Sequence, residues 1–181
     1  LGDLASALAV AHDVGIIHRD IKPANILMSA TGAQLMDFGI ARSIDAESRT
    51  LTGNVLGTAH YLSPEQALGQ EVGPPTDIYG LGILAHEMLT GSKPFDKGTP
   101  IATALAHVQE EPPPLPEGTP ADLEALISSC LAKDPAERPT AALIARLLAE
   151  TVEDVLSAAE PVDPDATVAL EAIPRRALLE D

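Results

Sequence analysis

The chain has 181 residues, of which 45% are hydrophobic and only 2% aromatic, and its formal net charge is −16. This size and apolar content allow one ordinary domain with a core, whereas the negative charge excludes a general nucleic-acid-binding surface, which needs clustered basic side chains. The single cysteine, Cys130, excludes an internal disulfide, and no apolar run approaches the roughly 20 residues of a membrane span, so a cytoplasmic location is expected.

The first elements in the chain are a helix and a hairpin. Apolar residues at helical spacing predict a helix over residues 4–14 that ends at Gly15. Two short apolar runs, "NILMS" and "AQLMDF", then flank residues 30–32, which is the pattern of a small β-hairpin. Residues 43–54 are polar and have no periodicity, which predicts a loop.

The rest of the chain is predicted to be mainly helical. One helix should begin at an N-cap on Thr76, be apolar on nearly every face, and end at Gly91. Further helices are predicted at about 100–110, 120–133 and 140–158; Thr119 and Pro120 start the second of these, with Asp122 as capping-box partner. The expected fold class is mainly α with a small β-hairpin, in one domain over residues 1–150, followed by a flexible acidic tail over 151–181.

The stretch "HRDIKPANIL" after the first helix concentrates groups suited to phosphoryl transfer. Such a site needs a carboxylate for the attacking hydroxyl, a cation near the phosphoryl group and hard oxygen ligands for Mg²⁺. Asp20 offers the carboxylate, Lys22 the cation and Asn25 an amide oxygen. The hairpin should return a second oxygen ligand, Asp37, to the same end.

Five ordered motifs carry a resemblance to a known family: "HRDIKPAN", "DFG" at 37–39, "GTAHYLSPEQ" at 57–66, "DIYGLG" at 77–82 and "RPT" at 138–140. The set resembles the protein kinase family, and specifically the bacterial eukaryotic-like serine/threonine kinases. The resemblance covers about residues 1–150 and implies the helical C-terminal lobe of a kinase. It also implies ATP and Mg²⁺ as cofactors and protein serine or threonine hydroxyls as substrates.

The resemblance assigns the chemistry to four positions. It implies that Asp20 is the catalytic base and that Lys22 contacts the transferred phosphate. It implies that Asn25 and Asp37 are the metal ligands that also hold the nucleotide. The motifs occur in kinase order, although each would be unremarkable alone.

Further positions are implied to act in activation or in structure. Arg19 is similar to the arginine that binds a phosphorylated activation loop, for which Thr50 and Thr52 are candidate phosphosites, and Thr58 resembles the threonine of the substrate hydroxyl pocket. The residues with implied structural roles are His18, Glu65, Asp77 and Arg138: the histidine packs, the aspartate braces the catalytic loop, and the other two form a buried ion pair. The remaining histidines show no metal-ligand spacing.

The main departure from the family lies upstream, because only 17 residues precede His18. They leave no room for the Gly-rich loop, the β3 lysine or the αC glutamate, so the N-terminal lobe is expected to be absent and the chain alone nearly inactive. Two alternatives stay open. The first is a non-catalytic interaction module. The second is a small-molecule phosphotransferase, which would not be expected to carry both Lys22 and the "GTAHYLSPEQ" segment.

Overall fold

The computed structural model describes residues 1–30, 32–38 and 59–158, and helices dominate this part of the chain. In chain order the elements are helix α1 (Gly2–Asp13), strands β1 (Ile26–Ser29) and β2 (Gly32–Leu35), and helices α2 (Pro64–Ala67), α3 (Pro74–Thr90), α4 (Pro100–Gln109), α5 (Ala121–Cys130) and α6 (Ala141–Ala158). Short 3₁₀ turns lie at Pro23–Asn25, Ala59–Tyr61 and Pro135–Glu137. The predicted mainly α fold with a small hairpin is confirmed.

The first helix and the hairpin form as their sequences predict. Gly15, with φ of 75°, ends the turn after α1, and its N–H donates to the main-chain oxygen of His12 at 3.0 Å. β1 and β2 pair antiparallel. The start of α1 lies against β2, where the carboxylate of Asp3 accepts the Ala33 N–H at 3.0 Å. The hairpin is thereby attached to the helix that precedes the site.

Helix α3 lies at the centre of the core, because every residue from Thr76 to His86 is buried. It contributes to two apolar clusters. The first cluster joins it to α1, α5 and α6 and includes Leu4, Leu8, Ile78, Leu81, Cys130 and Ile144. The second joins it to α4 and α5 and includes Tyr79, Ile83, Phe95, Ala106 and Ile127. The single cysteine, Cys130, is buried in the first cluster.

The predicted caps are only partly correct. Gly91 ends α3 in the left-handed conformation, with φ of 70°, as predicted. The N-cap prediction at Thr76 is wrong, because α3 begins two residues earlier at Pro74 and the Thr76 hydroxyl donates to Glu65. The predicted capping box of α5 is also wrong: the Thr119 hydroxyl donates back to the Pro116 oxygen, and the helix begins without a side-chain cap.

Helices α5 and α6 lie where the sequence predicts them, and only the C-terminal end of α5 differs by more than one residue. α5 stops at Cys130, three residues before its predicted end, whereas α6 ends at Ala158 as predicted. The domain boundary at 150 and the acidic tail stay predictions, because residues 159–181 lie outside the described part of the chain. In the residues that the structure describes, no helix is long and apolar enough to cross a membrane.

Candidate active site

The loop after α1 brings three of the predicted site residues together. The Nζ atom of Lys22 lies 2.9 Å from Oδ2 of Asp20. The amide nitrogen of Asn25 donates to the main-chain oxygen of Asp20 at 2.8 Å and to its Oδ2 at 3.1 Å. Pro23 begins the 3₁₀ turn that folds the chain back, which explains how a residue five positions on reaches Asp20. The carboxylate is held between a cation and an amide donor.

The hairpin returns Asp37 to the end of this loop. The N–H of Met36 donates to the main-chain oxygen of Asn25 at 2.8 Å, which continues the antiparallel pairing beyond β1 and β2. Asp37 follows directly, is exposed, and has a positive φ of 55°. Its carboxylate is therefore one residue beyond a main-chain contact with Asn25 and is accessible to a ligand.

His18 is fully buried and fastens the loop to the end of the hairpin. Its Nε2 lies 2.8 Å from the Met36 oxygen, its Nδ1 lies 3.3 Å from the Asp20 nitrogen, and its ring packs edge-on against Phe38 at 5.0 Å. This pattern assigns the tautomer in which Nε2–H donates and Nδ1 accepts. Because both ring nitrogens are hydrogen-bonded within the protein, His18 is placed to pack and to position the loop, and not to act as an acid or base.

Asp77, near the start of α3, accepts main-chain hydrogen bonds from the loop. Its two carboxylate oxygens accept the N–H groups of His18 at 2.8 Å and of Arg19 at 2.6 Å. Arg19 has φ of 66°, a conformation that is sterically disfavoured for a residue with a side chain. His12 of α1 also reaches this carboxylate, with Nε2 2.9 Å from Oδ2. Sequence reasoning missed His12, because nothing local to α1 indicates a partner 65 positions away.

We expect Asp77→Asn to destabilise the 181-residue chain by about 1–3 kcal/mol, the cost of leaving a buried polar group unpaired. Asparagine has one acceptor oxygen, so one of the two loop N–H groups would face an NH₂ group instead. Urea denaturation should show the loss. The exposed Asp13 provides the control, because Asp13→Asn should leave the midpoint nearly unchanged. Equal midpoints for both variants would contradict the bracing role of Asp77.

Glu65 and Arg138 form a bidentate buried ion pair. The guanidinium nitrogens Nη1 and Nη2 lie 2.7 and 2.9 Å from the two carboxylate oxygens, and the Thr76 hydroxyl donates to Oε1 at 2.7 Å. Arg138 also donates to the main-chain oxygens of Pro75, Ala132 and Lys133. Burial alone would raise the pKa of Glu65, but the hydrogen bonds from Arg138 and Thr76 outweigh burial and hold this pKa below its ordinary value.

The segment 59–66 that includes α2, here called the platform, makes two further polar contacts with the helical body. The Tyr61 hydroxyl donates to Glu87 at 2.5 Å, and His60 Nε2 lies 3.4 Å from Asp96 Oδ1. Burial and then the neighbouring Glu87 raise the pKa of Tyr61. No local sequence pattern indicates these pairs, because both join residues far apart in the chain.

Residues 1–149 match the protein kinase domain family. The chain belongs to the protein kinase domain family. Among its relatives, a serine/threonine-protein kinase PknA of Mycobacterium tuberculosis is 46% identical over 133 residues, which is 73% of this kinase chain and 31% of the relative. PknB of Mycobacterium leprae is 45% identical over 184 residues, which is 99% of this chain and 29% of the relative.

A third relative, named drp72, of Corynebacterium efficiens is 46% identical over 135 residues, or 74% of the kinase chain and 26% of the relative. The three printed names are all of serine/threonine-protein kinases, which confirms the resemblance read from the motifs. The kinase chain spans less than a third of the length of these relatives.

Several predicted site residues lie outside the described part of the chain. These are Thr50, Thr52 and Thr58, together with Gly39 of the "DFG" motif. The role predicted for Arg19 toward a phosphorylated loop also stays a prediction, because the loop belongs to the same undescribed residues.

Protein kinases generally use ATP and Mg²⁺, and the donor set here fits the metal. The Asn25 nitrogen is turned toward Asp20, so its amide oxygen is directed away from that carboxylate, and Asp37 adds an accessible carboxylate. Both side chains offer hard oxygen donors, and Mg²⁺ on nucleotides is commonly held by one or two protein oxygens together with phosphates and waters. Accordingly, no group of three or more His, Cys, Asp or Glu residues suited to a metal occurs among the residues described.

Proposed function

We propose that the chain is the C-terminal lobe of a bacterial serine/threonine protein kinase, which transfers the γ-phosphoryl group of ATP to serine and threonine hydroxyls of proteins. The observation that carries this proposal is the cluster of Asp20, Lys22 and Asn25, beside which the hairpin returns Asp37. The names of the relatives favour protein hydroxyls as acceptors.

Asp20 orients the substrate hydroxyl and accepts its proton. The contacts with Lys22 and Asn25 fix the rotamer of its carboxylate, so little reorganisation is needed when the hydroxyl arrives. The Lys22 ammonium, whose side chain is 22% exposed, lies close enough to balance negative charge on the phosphoryl group.

Asn25 and Asp37 are the proposed metal ligands. When bound, Mg²⁺ neutralises charge on the phosphate oxygens during transfer. The protein's contribution is to present two oxygens from the two strands at the open end of a short hairpin, which the Asn25–Met36 main-chain bond keeps in register.

Regulation is proposed to act through the segment between the hairpin and the platform. Phosphate on Thr50 or Thr52 would pair with Arg19 and order this segment, and Thr58 would line the pocket for the substrate hydroxyl. The platform, anchored through Glu65 and Arg138, would support the bound peptide.

Activity is proposed to require groups that residues 1–17 do not contain. This stretch has no lysine and no glutamate, so it cannot hold the lysine–glutamate pair that positions the nucleotide phosphates in protein kinases. Losing one preorganised electrostatic donor costs roughly 100- to 1,000-fold in rate, so residues 1–181 assayed alone should have little activity.

A second candidate function, a non-catalytic interaction module, is favoured by one observation. Three large apolar side chains of the hairpin region are exposed beside the site: Leu27 (49%), Met28 (74%) and Met36 (46%). In an assembled kinase an upstream lobe would cover this surface, whereas in a module a partner protein would cover it.

The test compares Mg²⁺-ATP binding and autophosphorylation of two proteins: the 181-residue chain and a form extended upstream by about 100 residues of kinase sequence. The kinase proposal expects binding and phosphate incorporation only in the extended form, with phosphate mapped to Thr50 or Thr52 by mass spectrometry. If neither form binds ATP, the kinase proposal fails and the interaction module remains.

A further inference from the structure

We propose that Gln66 is a positioning residue for the catalytic loop: its side-chain amide holds the peptide unit between Arg19 and Asp20 and thereby sets the direction of the Asp20 carboxylate. The inference rests on the proposed role of Asp20 as the base. It concerns a contact between the platform and the loop that the kinase motifs themselves do not indicate.

Gln66 is the third residue of α2 and takes part in a capping box with Ser63. Its own N–H donates to the serine hydroxyl at 3.3 Å, and its Oε1 accepts the Ser63 N–H at 3.0 Å. The side-chain nitrogen is not needed for this cap. It donates instead to the main-chain oxygen of Arg19 at 2.9 Å, across 47 positions of sequence.

The peptide unit that Gln66 contacts is held at each of its polar atoms. Its oxygen, on Arg19, accepts from Gln66, and its N–H, on Asp20, donates to His18 Nδ1 at 3.3 Å. On the other side of the same residue, the Arg19 N–H donates to Asp77 at 2.6 Å. Because Arg19 is in the disfavoured left-handed region, with φ of 66°, rotation of this peptide unit would relax the backbone once a contact is lost. Such a rotation would turn Asp20.

Substitutions at Gln66 and Ser63 can separate the capping of α2 from the contact with the catalytic loop. A glutamate makes the same capping box, because only an acceptor oxygen is needed there. Only an amide supplies both that acceptor and a donor to the Arg19 oxygen. Gln66→Glu therefore keeps the cap and places a carboxylate oxygen against a carbonyl oxygen, whereas Ser63→Ala weakens the cap and keeps the Gln66 contact.

The first measurement is amide hydrogen exchange on the full 181-residue chain by NMR, which needs no activity. In Gln66→Glu the amides of Arg19 and Asp20 should exchange about 10-fold faster, while amides in the centre of α3 keep their rates. Ser63→Ala should leave the two loop amides at the reference rates. Unchanged loop amides in Gln66→Glu would overturn the positioning contact.

The second measurement is steady-state kinetics on the upstream-extended form. Gln66→Glu should lower kcat about 10-fold with KM for ATP nearly unchanged. The matched control is Gln70→Glu, the same change at an exposed position outside the platform, which should keep kcat. As pH falls from about 8 toward about 5, protonation of the introduced carboxyl, which the facing Arg19 carbonyl oxygen favours, restores a donor, so kcat relative to the reference at the same pH should recover in part. A merely structural role would show no such recovery.

The two measurements separate the inference from the proposed function. An active reference with an unimpaired Gln66→Glu variant overturns the inference and leaves the kinase function standing. An inactive reference overturns the proposed function and with it the catalytic part of the inference. In that case, faster exchange in Gln66→Glu would still establish that the platform holds the loop.

Discussion

Replacing Asp20 by asparagine in the upstream-extended form should lower kcat by at least about 100-fold while leaving ATP binding nearly intact. Asparagine has the same shape as aspartate but cannot accept the proton of a substrate hydroxyl at neutral pH. The proposed metal ligands, Asn25 and Asp37, are untouched by the change. The expected result is therefore a loss in kcat without a matching rise in KM for ATP.

The measurement is phosphate transfer to a protein substrate together with ATP binding by calorimetry. Asp122→Asn is the matched control, because Asp122 is exposed in the first turn of α5, away from the loop. It should leave kcat close to the reference. A kcat of the Asp20→Asn form within about 3-fold of the reference would contradict the assignment of Asp20 as the base.

Replacing Arg138 by methionine should destabilise the 181-residue chain by about 3–5 kcal/mol, because it leaves the Glu65 carboxylate buried and without its cation. The three main-chain oxygens that the guanidinium serves would also lose a donor. For this reason Arg138→Met should cost more than Glu65→Gln, although both break the same ion pair. Chemical denaturation at neutral pH measures both losses.

Arg146→Met provides the control for the Arg138 variant. The Arg146 side chain is 67% exposed and lies 3.9 Å from Glu150, a surface pair worth less than about 1 kcal/mol. A similar loss of stability in both variants would contradict the buried ion pair as the source of the effect.

The pH dependence of the unfolding free energy provides a second test of the Glu65–Arg138 ion pair. In the native chain the pKa of Glu65 is lowered, so its stabilising contribution is present above the ordinary glutamate pKa and is lost as pH falls. In Arg138→Met the carboxylate lacks its cation, and burial would favour its protonated form. The difference in unfolding free energy between the two proteins should therefore shrink as pH approaches about 4.

Local patterns were enough to locate the elements. Helical spacing and a closing glycine placed α1 and the end of α3, and two apolar runs around a turn placed the hairpin. The cap predictions at Thr76 and Thr119 were wrong because each hydroxyl has another hydrogen-bond partner. Each hydroxyl looks like a cap in sequence, but tertiary contacts give Thr76 the Glu65 carboxylate, and Thr119 bonds its own turn.

The candidate site was predictable as far as its residues lie close in sequence or belong to a recognisable motif. Asp20, Lys22 and Asn25 lie within six positions, and one hairpin suffices to return Asp37. The contacts of His12 with Asp77 and of Gln66 with Arg19 were not predictable, because each depends on how α1, α2 and α3 pack. A pattern within one helix carries no information about such distances.

The bond from His18 to Asp77 has a consequence for the order of folding. It joins residues 59 positions apart, and Asp77 belongs to a helix that is buried from both sides. Such a contact closes a long loop and forms only after the core around α3 has assembled. The strained backbone at Arg19 should therefore reach its native conformation late, after the transition state, so that substitutions there change the unfolding rate more than the folding rate.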